Sequence, residues 1–251
     1  MKNCTDLAQT HFILFLSTFL ILAGCPSPDK KSQTEPRNPV TTSAITEDDR
    51  KLFESVKVKA ETGDADAQWN LGFLYDSGKG VVKDGAEALK WYRKSAEQGN
   101  ALSQFNVGAK YFDGVDTKKD YNEAFKWYQK AADQGIAEAQ MFLGAMYSKG
   151  LGGVKASWVE AAKWMRRAAD QGLGGAQGAL GECYQSGDGV PQDYVEAYKW
   201  FNLSAAQDDL LSPKGIAAQE RNSITRLMTP EQIAEGQRRA AAFVPRKETM
   251  K

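Results

Sequence analysis

Histidine is nearly missing from this chain. The 251 residues hold one, His11, and it lies in a leader segment expected to be removed on maturation. Without it the mature protein has no imidazole general base and no Ser-His or Cys-His nucleophile pair. Cysteine is scarce as well: Cys4 and Cys25 belong to the leader region and only Cys183 falls in the folded part, so no intrachain disulfide is expected there. Cys183 occupies a helix position filled elsewhere in the chain by Leu74, Lys110 and Met146, and with no base beside it this thiol reads as a packing residue. An excess of either charge is also lacking. Thirty-two basic side chains balance 32 acidic ones, which removes the global field that draws proteins to nucleic acid. No catalytic residue, metal site or cofactor is expected.

Long apolar runs are lacking too, apart from one. Residues 12–22 (FILFLSTFLIL) are too short for the roughly 20 residues of a membrane-spanning helix and read as the core of a signal peptide. The run ends in Leu22-Ala23-Gly24-Cys25, which resembles the lipobox of bacterial lipoproteins. That resemblance implies cleavage before Cys25, lipidation of its sulfur and acylation of the freed amine, and so a membrane-anchored protein of the bacterial cell envelope, facing the periplasm or the cell surface. A plain secretory signal or an uncleaved anchor is the alternative. Residues 1–24 are thus expected to be signal peptide, and residues 25–45, with four prolines in 26–45 and little able to pack, a flexible tether.

What the chain has in quantity is repetition. KWYQKAADQG at residues 126–135 recurs as KWYRKSAEQG from Lys90, KWMRRAADQG from Lys163 and KWFNLSAAQD from Lys199. Gln68, Gln104, Gln140 and Gln177 keep the same spacing, as do Gly72, Gly108, Gly144 and Gly181, and Tyr75, Tyr111, Tyr147 and Tyr184. The step is 36 residues, with one extra residue in the third copy, assigned to Gly153. A period of this size implies a solenoid. Each copy divides into a helix A, with Ala67, Leu71, Leu74 and Tyr75 on one stripe of the first, and a helix B bearing Ala88, Trp91, Tyr92, Ser95 and Ala96.

Two features of the copies carry local chemistry. Asp84 and Glu87, Asp120 and Glu123, Ser157 and Glu160, Asp193 and Glu196 stand three apart at the start of helix B, as paired catalytic carboxylates might, but the spacing predicts capping boxes. Gly78/Gly80, Gly150/Gly152 and Gly187/Gly189 form the turn between helices; Asp116 replaces the second glycine in copy two, so that loop is expected to bend differently. Gly99, Gly135 and Gly172 are expected to end helix B in the left-handed conformation, with Asp208 closing the last copy.

The combined pattern, A-x-A-Q-x-x-L-G-x-x-Y-x-x-G-x-G-V-x-x-D-x-x-E-A-x-K-W-x-x-K-A-A-x-Q-G over residues 64–208, resembles the Sel-one-like repeat (SLR) family, relatives of the tetratricopeptide repeat. The resemblance implies an all-α, right-handed α-solenoid of helix-turn-helix repeats, acting as a non-enzymatic protein-interaction scaffold. Residues 46–63 are expected to form an N-terminal capping helix opened by Thr46, and residues 209–251 C-terminal capping helices and a tail, with Ser212-Pro213 and Thr229-Pro230 as starts. Cysteine-rich members linked to β-lactam binding carry a disulfide in each repeat that is missing here.

In such superhelices helix A builds the concave wall. The side chains expected to bind a partner are Asp66, Trp69, Asn70, Phe73, Phe105, Asn106, Phe112 and Met141: an apolar groove of Trp69, Phe73, Phe105, Phe112 and Met141, with Asn70 and Asn106 bonding the main chain of an extended peptide. Packing of these side chains against the next repeat is the competing reading. The expected function is an envelope adaptor, monomeric, binding a protein or peptide. A surface lipoprotein engaging host molecules and a cell-wall or β-lactam enzyme are the alternatives.

Overall fold

A computed structural model of the chain describes residues 46–207 and 215–248. The signal peptide, the lipidation site Cys25, the tether, Asp208 and the Ser212-Pro213 start all lie outside the described residues. Among those described the chain is helical throughout: α1 Glu47–Glu61, α2 Ala65–Ser77, α3 Gly85–Glu97, α4 Ala101–Asp113, α5 Tyr121–Asp133, α6 Ala137–Lys149, α7 Trp158–Asp170, α8 Gly174–Ser186, α9 Tyr194–Ala205, α10 Ile216–Ile224 and α11 Pro230–Ala241. Repeats one to four are α2/α3, α4/α5, α6/α7 and α8/α9. No helix among the described residues is long and apolar enough to cross a membrane.

The chain forms two compact units. One runs through Ile136 and includes Leu151–Gly153; the other holds Ala137–Gly150 and the chain from Val154 onward. In the first, α1 to α5 each pack on their chain neighbours, and in the second α6 to α9 do the same, with α10 and α11 both on α9. Packing between consecutive elements is what makes a solenoid of these repeats.

Most of the helices begin where a polar side chain takes an orphan amide, although α8 and α10 start after Leu173 and Gly215 with no side-chain cap. Thr46 Oγ1 accepts from Asp49 N at 3.1 Å, Asp64 from Ala67 N at 2.8 Å and Asn100 from Ser103 N at 2.8 Å. The start of helix B is capped in every copy, by Asp84, Asp120, Ser157 and Asp193. The second half of the expected capping box is missing there. Glu87, Glu123, Glu160 and Glu196 turn instead to Lys90, Lys126, Lys163 and Lys199, three residues on. A lysine one turn along offers the carboxylate a charge, which the backbone amide does not. Thr229 and Gln232 of α11 make the full box.

The loop joining helix A to helix B closes identically in all four copies. Asp84 N, Asp120 N, Ser157 N and Asp193 N each donate to the carbonyl of Tyr75, Tyr111, Tyr147 and Tyr184 at 2.9 Å. The extra glycine of copy three is absorbed inside that closure, where Gly150, Gly152 and Gly153 all have positive φ. Asp116 does not bend its loop differently. It adopts φ 62°, the left-handed state that Gly80, Gly152 and Gly189 hold at the matching position.

Helices A and B meet through a notch. A Cβ on Gly72 would lie 2.6 Å from the Tyr92 ring, on Gly108 2.8 Å from Tyr128, on Gly144 2.8 Å from Met165 and on Gly181 2.7 Å from Phe201. The residue after each repeated tryptophan is therefore the knob, and Tyr92, Tyr128, Met165 and Phe201 are all buried.

Candidate interaction surfaces

On α2, the Trp69 and Phe73 rings stack with centroids 6.3 Å apart at 24°. Phe73 is 50% exposed and Leu102, at the start of α4 in the next repeat, is 44% exposed. Trp69 is half-buried against the cluster around Tyr92 and Trp127, and its indole Nε1 is buried with no acceptor among the described residues. This part of the helix A face is apolar and open to solvent.

The remaining candidates are more committed than their positions suggest. Phe105 and Phe112 are half-buried because both lie on Tyr128, at 5.7 Å and 6.1 Å, and Phe112 also meets Tyr121 edge-on at 5.2 Å. Met141 is 9% exposed and its neighbour Phe142 3%, so the third repeat adds no open apolar surface at these positions. Asn106 hydrogen-bonds the Tyr92 hydroxyl, and Asn70 Nδ2 donates to Asp66 O in its own helix at 2.9 Å. Asp66 in turn accepts from Asn100 Nδ2 at 2.9 Å. The expected groove therefore reduces to Trp69 and Phe73, with Leu102 one repeat on.

Lys110 shows why one core position could become charged. It stands where other repeats have Leu74, Met146 or Cys183, with its Nζ 2.6 Å from Asp76 and 2.9 Å from Asp116. Asp116 crowds Gly85, the first residue of α3, where any Cβ would fall inside the carboxylate. Trp158 holds the matching place before Gly189 in the fourth repeat, and the glycine there lies against its main chain. The glycine lost from the loop of copy two is thus matched by Gly85 at the start of helix B in copy one, and Lys110 of copy two neutralises the new charge.

Glutamines tie the copies together in a way the repeated Gln-Gly did not disclose. Gln68 Nε2 donates to Ala60 O at 3.1 Å, Gln104 Nε2 to Ala96 O at 3.2 Å and Gln177 Nε2 to Ala169 O at 3.3 Å, each reaching the end of the preceding helix B. The glutamines before the closing glycines then donate to these: Gln98 to Gln68 at 2.7 Å, Gln134 to Gln104 at 2.8 Å and Gln171 to Gln140 at 2.9 Å. The chain of amides stops at copy four, where Gln177 Oε1 has no donor among the described residues. Four identical residues at a 36-residue step were the available signal. A buried, repeated glutamine must hydrogen-bond somewhere.

A basic residue lies over each repeated tryptophan: Lys94 over Trp91 at 4.0 Å, Lys130 over Trp127 at 4.1 Å, Arg167 over Trp164 at 4.5 Å and Lys199 over Trp200 at 4.1 Å. Lys94 remains exposed while it covers the Trp91 ring. Arg167 does a second thing, since its Nε and Nη2 donate to Glu248 Oε1 and Oε2 at 2.9 and 2.6 Å while Gln140 Nε2 donates to the same carboxylate at 2.9 Å. Residues 243–248 thus lie as a strap on the third and fourth repeats. Arg246 N donates to Asp170 O at 2.9 Å, Pro245 covers Gly172, and Phe243 meets Trp200 edge-on at 5.5 Å.

The titratable groups do not assemble a reaction centre. Burial pushes the Cys183 thiol up to about 12, which keeps it protonated, and its Sγ faces Met165 Sδ at 3.9 Å. Beside it Glu182 is pushed up to about 8 by burial and by the Glu220 carboxylate. Among the described residues there is no cluster of three or more His, Cys, Asp or Glu suited to a metal ion.

Paired helices repeated at one step, with glutamines bonding neighbouring helices inside each unit, define an α-solenoid of interaction repeats. The Sel1 repeat model matches residues 65–100, 101–136, 137–173 and 175–209, and this chain belongs to the Sel1 repeat family, whose members are typically protein-interaction scaffolds and generally not enzymes. Among solved structures it is similar to c5321, described as a protective antigen present in uropathogenic Escherichia coli strains and displaying an SLR fold: 39% identity and a TM-score of 0.69. That match covers 77% of this chain but only 40% of c5321. A Sel1 repeat protein from Oxalobacter formigenes is 33% identical with a TM-score of 0.63, over 76% of each chain. Comparison with curated proteins finds no match.

Proposed function

We propose that the protein is a non-enzymatic, monomeric adaptor, anchored in the bacterial cell envelope by lipid on Cys25, that binds a protein or peptide partner through the helix A face of its first two repeats. The observation that carries this is the stacked Trp69–Phe73 pair with Phe73 half exposed, together with the exposure of Leu102 near the start of the next helix A. Large apolar side chains left in water on an interaction scaffold mark a contact surface. Membership of a family of interaction scaffolds supports the reading, and the LAGC quartet supports the anchor.

The test is capture of partners by crosslinking and mass spectrometry from cells carrying the wild type or Phe73→Ala with Leu102→Ala. Both side chains are exposed, so the fold is expected to survive, as circular dichroism would confirm. Capture is expected to fall by about tenfold or more, as for a loss of interface anchors. An unchanged set of partners at unchanged yield rejects this face. Display on the cell surface is a second reading, favoured by the description of c5321 as a protective antigen. Protease shaving of intact cells separates the two, because only a surface-displayed protein is digested.

A further inference from the structure

The strap at residues 243–248 shows what kind of segment a repeat of this chain can hold. Its seat consists of an arginine over a tryptophan, a glutamine from helix A, a carbonyl near the end of helix B and the glycine that follows, with a tryptophan one repeat on. The segment has no helix or strand structure and reads Phe-x-Pro-x-x-Glu. Its aromatic ring, one main-chain amide and a carboxylate provide the contacts, and the carboxylate is held by two parallel bonds.

The residues that make this seat recur in the first repeat. Counting back by the repeat step, Arg167 becomes Lys94, Gln140 becomes Gln68, Asp170 becomes Glu97, Gly172 becomes Gly99 and Trp200 becomes Trp127. Lys94 lies over Trp91 as Arg167 lies over Trp164. Gln68 Nε2 uses one hydrogen on Ala60 O and has a second to give. Pro245 covers Gly172, whereas a Cβ on Gly99 would meet nothing within 4 Å. Lys94, Glu97, Gln98 and Gly99 are all exposed, while Arg167, Asp170, Gln171 and Gly172 are half-buried. The charges also correspond: an acidic side chain near the end of helix B accompanies the basic one in both places.

We propose that the end of helix B in the first repeat is a seat for a segment of a partner protein with an aromatic-x-Pro-x-x-Glu pattern, held as the chain's own strap is held on the third repeat. Lys94 and Gln68 take the carboxylate, the Glu97 carbonyl takes a main-chain amide, and the segment's proline lies on Gly99. Lysine gives one point charge where Arg167 gives a fork, so the first seat binds more weakly than the third. This surface is distinct from Phe73 and Leu102 and stands or falls without them.

The probe is a dye-labelled peptide of residues 242–248, AFVPRKE, titrated into the full chain and followed by anisotropy. Saturable binding is expected, weakened by about fivefold or more in Lys94→Glu and tightened by about threefold to tenfold in Lys94→Arg, where the fork is restored. A peptide ending in Gln is expected to lose binding, and Phe73→Ala with Leu102→Ala to leave it unchanged. Because Lys94 is exposed and Lys94→Arg keeps its charge, the arginine variant reads the seat even if the glutamate variant is unstable. No saturable binding, or binding that is altered by Arg167→Ala but indifferent to both Lys94 variants, overturns the proposal.

Discussion

At the scale of single residues, the second repeat shows how one exchange forces others. A left-handed position suits glycine, and an aspartate there is strained by of the order of 1 kcal/mol. Asp116 occupies it at φ 62° with its carboxylate beside Lys110 at 2.9 Å and against Gly85. Gly85→Ala is accordingly expected to destabilise the protein by about 1–3 kcal/mol through overlap with that carboxylate. In an Asp116→Gly background the same change is expected to cost nothing or to stabilise α3, where alanine outranks glycine. Urea unfolding of the two single variants and the double would show the non-additivity; an additive result would contradict the coupling. Sequence showed that Asp116 broke the pattern but not that Gly85 and Lys110 answered it, because these residues meet only across the helix pair.

At the scale of the element, helix B was read correctly as a packing unit, and its closing Gln-Gly was read only in part. Gly99, Gly135 and Gly172 end the helices with φ of 97°, 92° and 94°, a local matter visible in the sequence. The glutamine before each glycine works between helices. Gln134 Nε2 bonds both Gly99 O at 2.9 Å and Gln104 Oε1 at 2.8 Å, and Gln104 is buried. Gln134→Ala is expected to cost about 1–3 kcal/mol by leaving that buried oxygen without a donor. Gln207, at the same place in copy four, is exposed and makes no side-chain bond among the described residues, so Gln207→Ala is expected to change stability by less than about 0.5 kcal/mol. Chemical denaturation of both variants checks the contrast; equal losses would show the glutamine to matter only within its own helix.

For the whole molecule, stability is expected to depend on pH through carboxylates pushed in opposite directions. The Glu182 carboxyl stands at about 8 against an ordinary 4.5, so between those values the folded protein keeps a proton that the unfolded chain has released. Stability from this group is therefore full below pH 4.5 and lost as pH rises toward 8. Glu182→Gln is expected to remove that decline and to stabilise the protein at pH 8 by about 1–3 kcal/mol, a figure discounted for partial exposure. Glu248 acts the other way: Arg167 holds its carboxyl below the ordinary value of 4.5, and that contribution is lost as pH falls. Thermal unfolding across pH for wild type and Glu182→Gln decides the point, and parallel curves would exclude the Glu182 contribution.

The repeat step, the two helices of each copy, the N-cap residues of helix B and the glycines that end it were determined by the sequence alone. Each depends on residues within one 36-residue unit, where hydrophobic spacing and capping chemistry are local, and four copies state them four times. Which helix A side chains stay in water was decided only by the tertiary structure. Trp69, Phe105 and Met141 stand at one repeat position, yet the first is stacked on Phe73, the second lies on Tyr128 and the third is buried. The strap was likewise invisible, since Arg167 and Glu248 are separated by 81 residues and no periodicity relates them. Burial and pairing belong to neighbours that the fold brings together, and a repeat pattern, which describes one unit at a time, does not contain them.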